Sequence, residues 1–358
     1  MIGKTAVVAI TKHGIVIARK IKDSLPEAEV YAPIKHSDSG PDINWFDKQT
    51  TQVVANLFKT YDALICIFSL GAVIRIIAPF LVDKKTDPAV LVIDDKANFV
   101  ISTLSGHLGG ANALTRLVAS YLNSKPVITT AADVNETIPV DLVGKNFGWI
   151  IENYQNVTKV SAFMVNEEKI GLYQEAGEKN WWGDAATSFP QNVTVTKEYY
   201  ELKSPDFKGA LIISDKMITD PVILEKSVIY RPKSLVVGIG LHRDTSKDVI
   251  ENGILTVLKD KGLSFKSIRN ISSINKEGKI KGLQEFSEQY KIPVEIYDRG
   301  KLGQVSVPNP SKAVQKFEGI PSVSEASSIL SSNGGELIVP KQKFPPDLTV
   351  AVSRVKFD

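Results

Sequence analysis

Cysteine is nearly absent from this sequence. Cys66 stands alone among 358 residues, with only four histidines beside it. One cysteine excludes an intrachain disulfide, and so few thiols and imidazoles are a poor source for a structural zinc site. An excess of charge of one sign is missing too. Lys and Arg number 43 against 40 Asp and Glu, a net charge of +3, which is too little to draw nucleic acid by bulk attraction. Long apolar runs are absent: residues 63–82 come closest, but Arg75 and Pro79 interrupt them, and a spanning helix needs ~18 apolar residues. The first residues show no basic stretch followed by an apolar leader and a cleavage site. The expectation is a cytoplasmic protein with neither a membrane nor a nucleic-acid partner.

What is present is an ordinary globular composition, 43% hydrophobic and 23% charged, with ample apolar surface to bury. The length predicts two to three domains at ~150 residues each. Residues 1–145 alternate short apolar runs with helical periodicity. Strands are expected at 5–10, 29–31, 63–68, 89–93, 99–104 and 126–129. Helices are expected at 14–24, at 47–60 with Asp47 as cap, after Gly71 and at 108–122. Apolar strands between helices predict a doubly wound, mostly parallel sheet, with Cys66 an inert core residue inside one strand. From 146 to 231 the texture changes: Asn, Thr, Tyr and Trp are frequent, helices are few, and strands are expected at 193–196 and 210–213. This predicts a small central domain. Residues 232–358 read as a second α/β domain. In it Ser246 caps one helix, and Ser322 caps another with Glu325 at capping-box spacing.

In open parallel sheets ligands lie at the carboxyl ends of the strands. The strongest signal there is Ser105-Gly106-His107-Leu108-Gly109-Gly110-Ala111-Asn112, where three glycines and a histidine open a helix. Such a turn lets backbone approach a ligand, and a helix start offers free amides to phosphate or carboxylate. A tight strand-to-helix turn with His107 bonded locally is the plain alternative. The segment is neither a P-loop nor a nucleophile elbow. Arg75 lies in an otherwise apolar stretch, where a charge needs a partner or a ligand. Lys84 and Lys85 lie in a polar loop before a strand. Gly238-Ile239-Gly240 begins like a dinucleotide fingerprint but has Arg243 where the third glycine belongs. The turn could still carry amides, His242 and Arg243 towards an anion.

Several of these segments together resemble the cobalamin biosynthesis protein G family. They are residues 71–79 and 83–90, the 104–112 turn, and Pro126-Val127-Ile128-Thr129-Thr130-Ala131-Ala132-Asp133-Val134-Asn135. In the last domain they are residues 319–326 and 349–354. The resemblance covers both ends of the chain in order and leaves the centre unmatched. It departs where the family has Gly-Ile-Gly-Cys-Arg-Arg-Gly-Thr and this chain has Gly238-Ile239-Gly240-Leu241-His242-Arg243-Asp244-Thr245. It departs again where Ser-Ile-Asp-Leu-Lys is replaced by Ser273-Ile274-Asn275-Lys276-Glu277.

The resemblance implies a hydrolase of the anaerobic cobalamin pathway. The substrate would be cobalt-precorrin-5A, a cobalt tetrapyrrole carrying a δ-lactone. Water opens the lactone and acetaldehyde leaves, giving cobalt-precorrin-5B. No resident cofactor or protein-bound metal is implied, since the cobalt belongs to the substrate. The chemistry needs a base for water, donors for an oxyanion and anchors for several carboxylates. His107 is the expected base, with Asp133 orienting or replacing it. Arg75, Lys84, Lys85, Ser105, Gly106, Gly109, Gly110, Asn112, Arg243 and Glu325 are the expected substrate-binding set. Contacts with neighbouring pathway enzymes or a second copy are the other partners considered. The competing readings are a tetrapyrrole carrier without catalysis, motivated by the altered 240–244 segment, and a phosphate-ligand enzyme built on the glycine-rich helix start.

Overall fold

The computed structural model describes residues 3–37, 40, 42–84, 86–107, 109–183, 188–276 and 280–357. Lys85, Leu108 and Glu277, named above, lie outside the described residues. The chain divides into two compact units, Met1–Leu142 and Val143–Asp358, and its elements form three sheets with helices, two of them mostly parallel and the third half antiparallel. The α/β expectation holds for each.

The first unit runs β1 (Thr5–Ala9), α1 (Lys12–Ser24), β2 (Glu29–Pro33), β3 (Ile43–Phe46), α2 (Thr50–Thr60), β4 (Ala63–Ile67), α3 (Leu70–Ile77), β5 (Ala89–Ile93), β6 (Phe99–Leu104), α4 (Ala111–Leu122), β7 (Lys125–Val127) and α5 (Ala131–Val134). Its sheet has the order β3-β2-β1-β4-β5-β6-β7. Alternation along the buried strands sorts side chains to two faces. Val7, Ile65 and Leu91 pack with α1 and α4, while Val8, Leu64 and Val90 pack with α2 and α3. Cys66 is fully buried in the second layer, where desolvation pushes its thiol up to about 12. That fits its expected inertness.

Three local expectations fail for stated reasons. α2 starts at Thr50 with Gln49 as an unbonded cap, because the preceding residues follow β3, a strand the sequence pattern did not show. α4 starts at Ala111 rather than 108, because Gly110 at φ +85° is left-handed and cannot continue a helix. The third failure matters most. β6 runs antiparallel to β5, with Val90 opposite Leu104 and Ile93 opposite Val100, and β7 follows β6 in parallel. The loops leaving β6 and β7 therefore sit at the edge where β1, β4 and β5 begin. The loops after β4 and β5 leave the opposite edge.

In the second unit, one sheet has the order β10-β9-β11-β12-β8. It is made from β8 (Ile150–Ile151), α6 (Val157–Val165), β9 (Ile170–Gln174), β10 (Val193–Val195), β11 (Gly209–Ile213), α7 (Pro221–Lys226) and β12 (Ser227–Arg231). The other has the order β15-β14-β13-β17-β16. It comprises β13 (Leu235–Leu241), α8 (Lys247–Asp260), β14 (Ile268–Ile274), α9 (Lys281–Tyr290), β15 (Val294–Tyr297), α10 (Arg299–Gly303), α11 (Lys312–Glu318), α12 (Ser324–Ser331), β16 (Leu337–Phe344) and β17 (Leu348–Arg354). Ser246 caps α8 as expected, its hydroxyl accepting from the Val249 amide. Asp215, fully buried beyond β11, accepts from Arg354 Nε at 2.8 Å and Nη2 at 2.7 Å on β17, and from Ser234 Oγ at 2.8 Å. This fork ties the two sheets of the unit together.

Gly238 and Gly240 do not form a turn; both lie inside β13. A Cβ at Gly238 would come within 1.9 Å of the Ser324 carbonyl oxygen, so this glycine lets α12 pack directly on the strand. α12 begins at Ser324 with Val323 as its cap, and Ser322 makes no capping bond.

Candidate active site

His107 sits in the loop that follows β6, and its ring touches two carboxylates. Nε2 is 2.9 Å from Asp133 Oδ2 and Nδ1 is 3.4 Å from Asp141 Oδ1. The His107 side chain is 19% exposed, Asp133 17% and Asp141 13%. Asp133 lies on α5, just beyond β7, and the reversed direction of β6 and β7 brings both loops to one edge.

Asn112 binds this cluster together. It is 3% exposed near the start of α4. Its Nδ2 donates to Asp133 Oδ2 at 2.7 Å and to Thr130 Oγ1 at 2.9 Å, while Oδ1 accepts from Ser102 Oγ at 2.6 Å. One turn along α4, Arg116 Nη2 donates to Asp133 Oδ1 at 2.6 Å. Asp133 is thus fixed by three donors. Burial pushes its carboxyl up, but the bonds from Arg116, His107 and Asn112 outweigh burial and hold it below the usual range. The same balance holds for Asp141, where burial is outweighed by His107, with Lys84 adding a favourable positive charge.

The imidazole is shifted upward. Asp141 contributes most, burial opposes, and Asp133 adds to the rise. Asp141 leads although its contact is the longer one. The charge of Asp133 is already shared with Arg116 and Asn112, and a shared charge acts less on a third group.

The glycine-rich turn folds on itself. Gly110 N donates to the His107 carbonyl at 3.0 Å, Ala111 N to Ser105 O at 3.1 Å and Asn112 N to Gly106 O at 2.9 Å. These three amides are spent within the turn. Ser105, at φ +55°, anchors the turn by donating its hydroxyl to the Asp87 carbonyl at 2.8 Å. A Cβ at Gly109 would fall 2.4 Å from Ser105 Cβ, so this glycine serves close packing of the turn.

The remaining candidates divide. Lys84 is exposed in the loop before β5 and acts on Asp141. Arg75 lies on the exposed side of α3 and donates to the Gly71 carbonyl one turn back at 3.0 Å. Arg243 belongs to the second unit, exposed just after β13. Glu325 is fully buried. Its carboxylate accepts from Asn309 N at 3.1 Å, Asn309 Nδ2 at 2.8 Å and Lys341 N at 2.9 Å. It ties the loop at Asn309 to strand β16, makes no capping box and has no surface for a ligand. Among the described residues, no three His, Cys, Asp or Glu side chains are arranged to hold a metal ion.

Three family patterns match the chain in order. Cobalamin synthesis G N-terminal covers residues 52–133, the cobalamin biosynthesis central region 138–232 and the cobalamin synthesis G C-terminus 235–353. A protein of Priestia megaterium named cobalt-precorrin-5A hydrolase is 42% identical, over 99% of this chain and 96% of its own length. The chain belongs to the cobalamin biosynthesis protein G family. A Salmonella typhimurium protein of the same name is 29% identical over 92% of each chain. A solved structure from Sulfolobus solfataricus, described as a homologue of cobalamin biosynthesis protein G, aligns with 99% of this chain and 97% of its own at 22% identity and a TM-score of 0.38.

Within this family member, sequence reading missed Arg116 and Asp141. Arg116 follows Asn112 by four residues on one helix, so a shared face was legible. Asp141 lies in irregular chain after α5, between Val140 and Leu142, and no periodicity marks it.

Proposed function

We propose that this chain hydrolyses cobalt-precorrin-5A at the His107 centre, opening its δ-lactone and releasing acetaldehyde to give cobalt-precorrin-5B. The reaction is supported by the 42% identity to a hydrolase of that name along nearly the whole chain. Its placement rests on one observation: His107 stands between two carboxylates of unequal freedom.

Asp133 is the positioning carboxylate. With Asn112, Arg116 and Nε2 around it, it fixes the ring and favours the imidazolium. The His107–Asp141 pair is the proton-transfer couple. The contact at Nδ1, 3.4 Å, is the longer of the ring's two carboxylate contacts. Water adds to the lactone carbonyl and gives its proton to the Asp141 side of the pair. The C–O bond breaks, and the departing alkoxide takes a proton from Nδ1. The same pair then removes the proton of the new hydroxyl. The C–C bond breaks, acetaldehyde leaves, the electron pair remains on the macrocycle, whose conjugated cobalt system is the sink, and the extra proton left on the pair passes to solvent. Lys84 is an exposed cation at this edge and suits a substrate carboxylate.

Anaerobic incubation with cobalt-precorrin-5A, with acetaldehyde trapped and the corrinoid weighed by mass spectrometry, tests the assignment. Acetaldehyde with the matching mass loss is expected. Binding without mass change would replace hydrolysis with carriage.

A further inference from the structure

The C-terminal sheet carries a cavity of about 480 Å³, lined by the end of β13, by α11, and by β16 and the turn into β17. That volume is in the range of small-molecule sites, ~300–1,000 Å³. None of its lining residues belongs to the His107 centre.

Its chemistry is uneven. Three lysines and His242 line it, together with Glu318 and Asp347. Lys276 is occupied: Nζ donates to the Leu241 carbonyl at 2.7 Å and lies 3.5 Å from Glu318 Oε1. Lys341 donates to a neutral group, the Asn309 carbonyl at 2.5 Å. Lys343, two residues further along the same strand, is exposed. Burial lowers the affinity of Lys341 for its proton, the Glu325 carboxylate opposes that, and the like charge of Lys343 adds to the lowering. An anion between the two would relieve that repulsion. Ser322, only 1% exposed, also lines the cavity, and its hydroxyl has no hydrogen-bond partner. Buried hydroxyls are normally paired, so a ligand acceptor would meet an unfilled need. Phe317 supplies the opposite character: it lines the cavity, yet the residue is 78% exposed. Two adjacent cations, an unmatched hydroxyl and an uncovered aromatic ring select a ligand that carries carboxylates on a broad apolar frame.

We propose that this cavity binds the carboxylate-bearing edge of a tetrapyrrole, with neighbouring acid side chains on Lys341 and Lys343 and the ring edge against Phe317. The choice of tetrapyrrole rests on the function proposed above; the anionic, amphipathic ligand class rests on the cavity alone.

The test is an equilibrium fluorescence titration of the full chain with uroporphyrin, an octacarboxylate tetrapyrrole, and with its octamethyl ester. The acid is expected to bind and the ester to bind far more weakly. Lys343→Gln, at an exposed position, should weaken binding of the acid about tenfold. Lys341→Gln and Phe317→Ala should do the same while melting like the parent chain. Parent affinity in Lys341→Gln/Lys343→Gln, or equal binding of acid and ester, overturns the proposal. Acetaldehyde release from cobalt-precorrin-5A is measured in parallel. If the parent chain releases none while porphyrin binding depends on Lys343, the reaction assignment fails and the cavity stands. If turnover is seen but binding ignores both lysines, the cavity proposal fails alone.

Discussion

Asp141 Oδ1 lies 3.4 Å from His107 Nδ1, on the nitrogen that Asp133 does not touch. The two carboxylates therefore have different duties, and separate substitutions distinguish them. His107→Ala should lower kcat by ~10²–10⁴-fold, the usual worth of a proton-transfer group, while the substrate still binds. Asp141→Asn should lower kcat comparably and bring the His107 pKa down further than Asp133→Asn does, because Asp141 is the largest cause of the upward shift. Ring proton titration by NMR reads the order. The reverse order would make Asp133 the dominant partner.

Asn112 positions Asp133 without facing the reacting atoms. Asn112→Ala should cost kcat up to about a hundredfold through lost alignment and leave KM nearly unchanged. Asn112→Asp should be worse, since it places a second carboxylate where Nδ2 now lies 2.7 Å from Asp133 Oδ2. Steady-state kinetics of the two variants provide the check.

The His107 cluster also predicts a pH dependence of stability. The imidazole is raised on folding, so its contribution is complete below its unfolded value and fades as pH rises through the folded one. Asp133 and Asp141 are lowered, so theirs is present above the unfolded value and fades as pH falls through the folded ones. All three act together between the ordinary 3.8 of the carboxyls and the ordinary 6.5 of the ring. The difference in Tm between parent and His107→Gln should peak in that window and shrink on both sides. A difference that is flat with pH would exclude the ring's charge as its source.

In the second unit, Asp215→Asn should destabilise by ~3–5 kcal/mol, because it leaves Arg354 facing a neutral group across a buried contact. Replacing both residues with apolar ones should cost less than either single change. Chemical denaturation of the three variants measures the coupling.

Gly238→Ala should cost ~1–3 kcal/mol or more by overpacking, since the new methyl would need the space of the Ser324 carbonyl oxygen, 1.9 Å away. Gly262→Ala offers a contrast: nothing lies within 4 Å of its Cβ position, and its φ of +62° limits the cost to backbone strain. Unfolding curves should separate a packing clash from that smaller penalty.

Buried strands and most helices were legible because their apolar patterns reflect burial directly, as at Ala63–Ile67 and Ala89–Ile93. His107 and Asp133 were legible as loop residues beside glycine-rich and strand-end motifs. Strand direction was not read, although it was available. Only residues 94–98 join β5 to β6, and a parallel crossover needs a dozen or more. Asp94 closes that turn by accepting from the Lys96 amide at 3.0 Å and the Phe99 amide at 2.7 Å. Glu325 misled for another reason. Its spacing from Ser322 suits a cap, but its carboxylate is claimed by Asn309 and the Lys341 amide, both distant in sequence. No local pattern encodes such a contact.

The reversal at β6 has a practical consequence for altering the chain. The 94–98 hairpin opens at one edge of the first sheet, while His107, Asn112 and Asp133 gather at the other. A peptide tag or fluorescent label grafted into that hairpin would be separated from the chemistry by the length of β6. The turn is therefore a natural attachment point for reporting on a working enzyme.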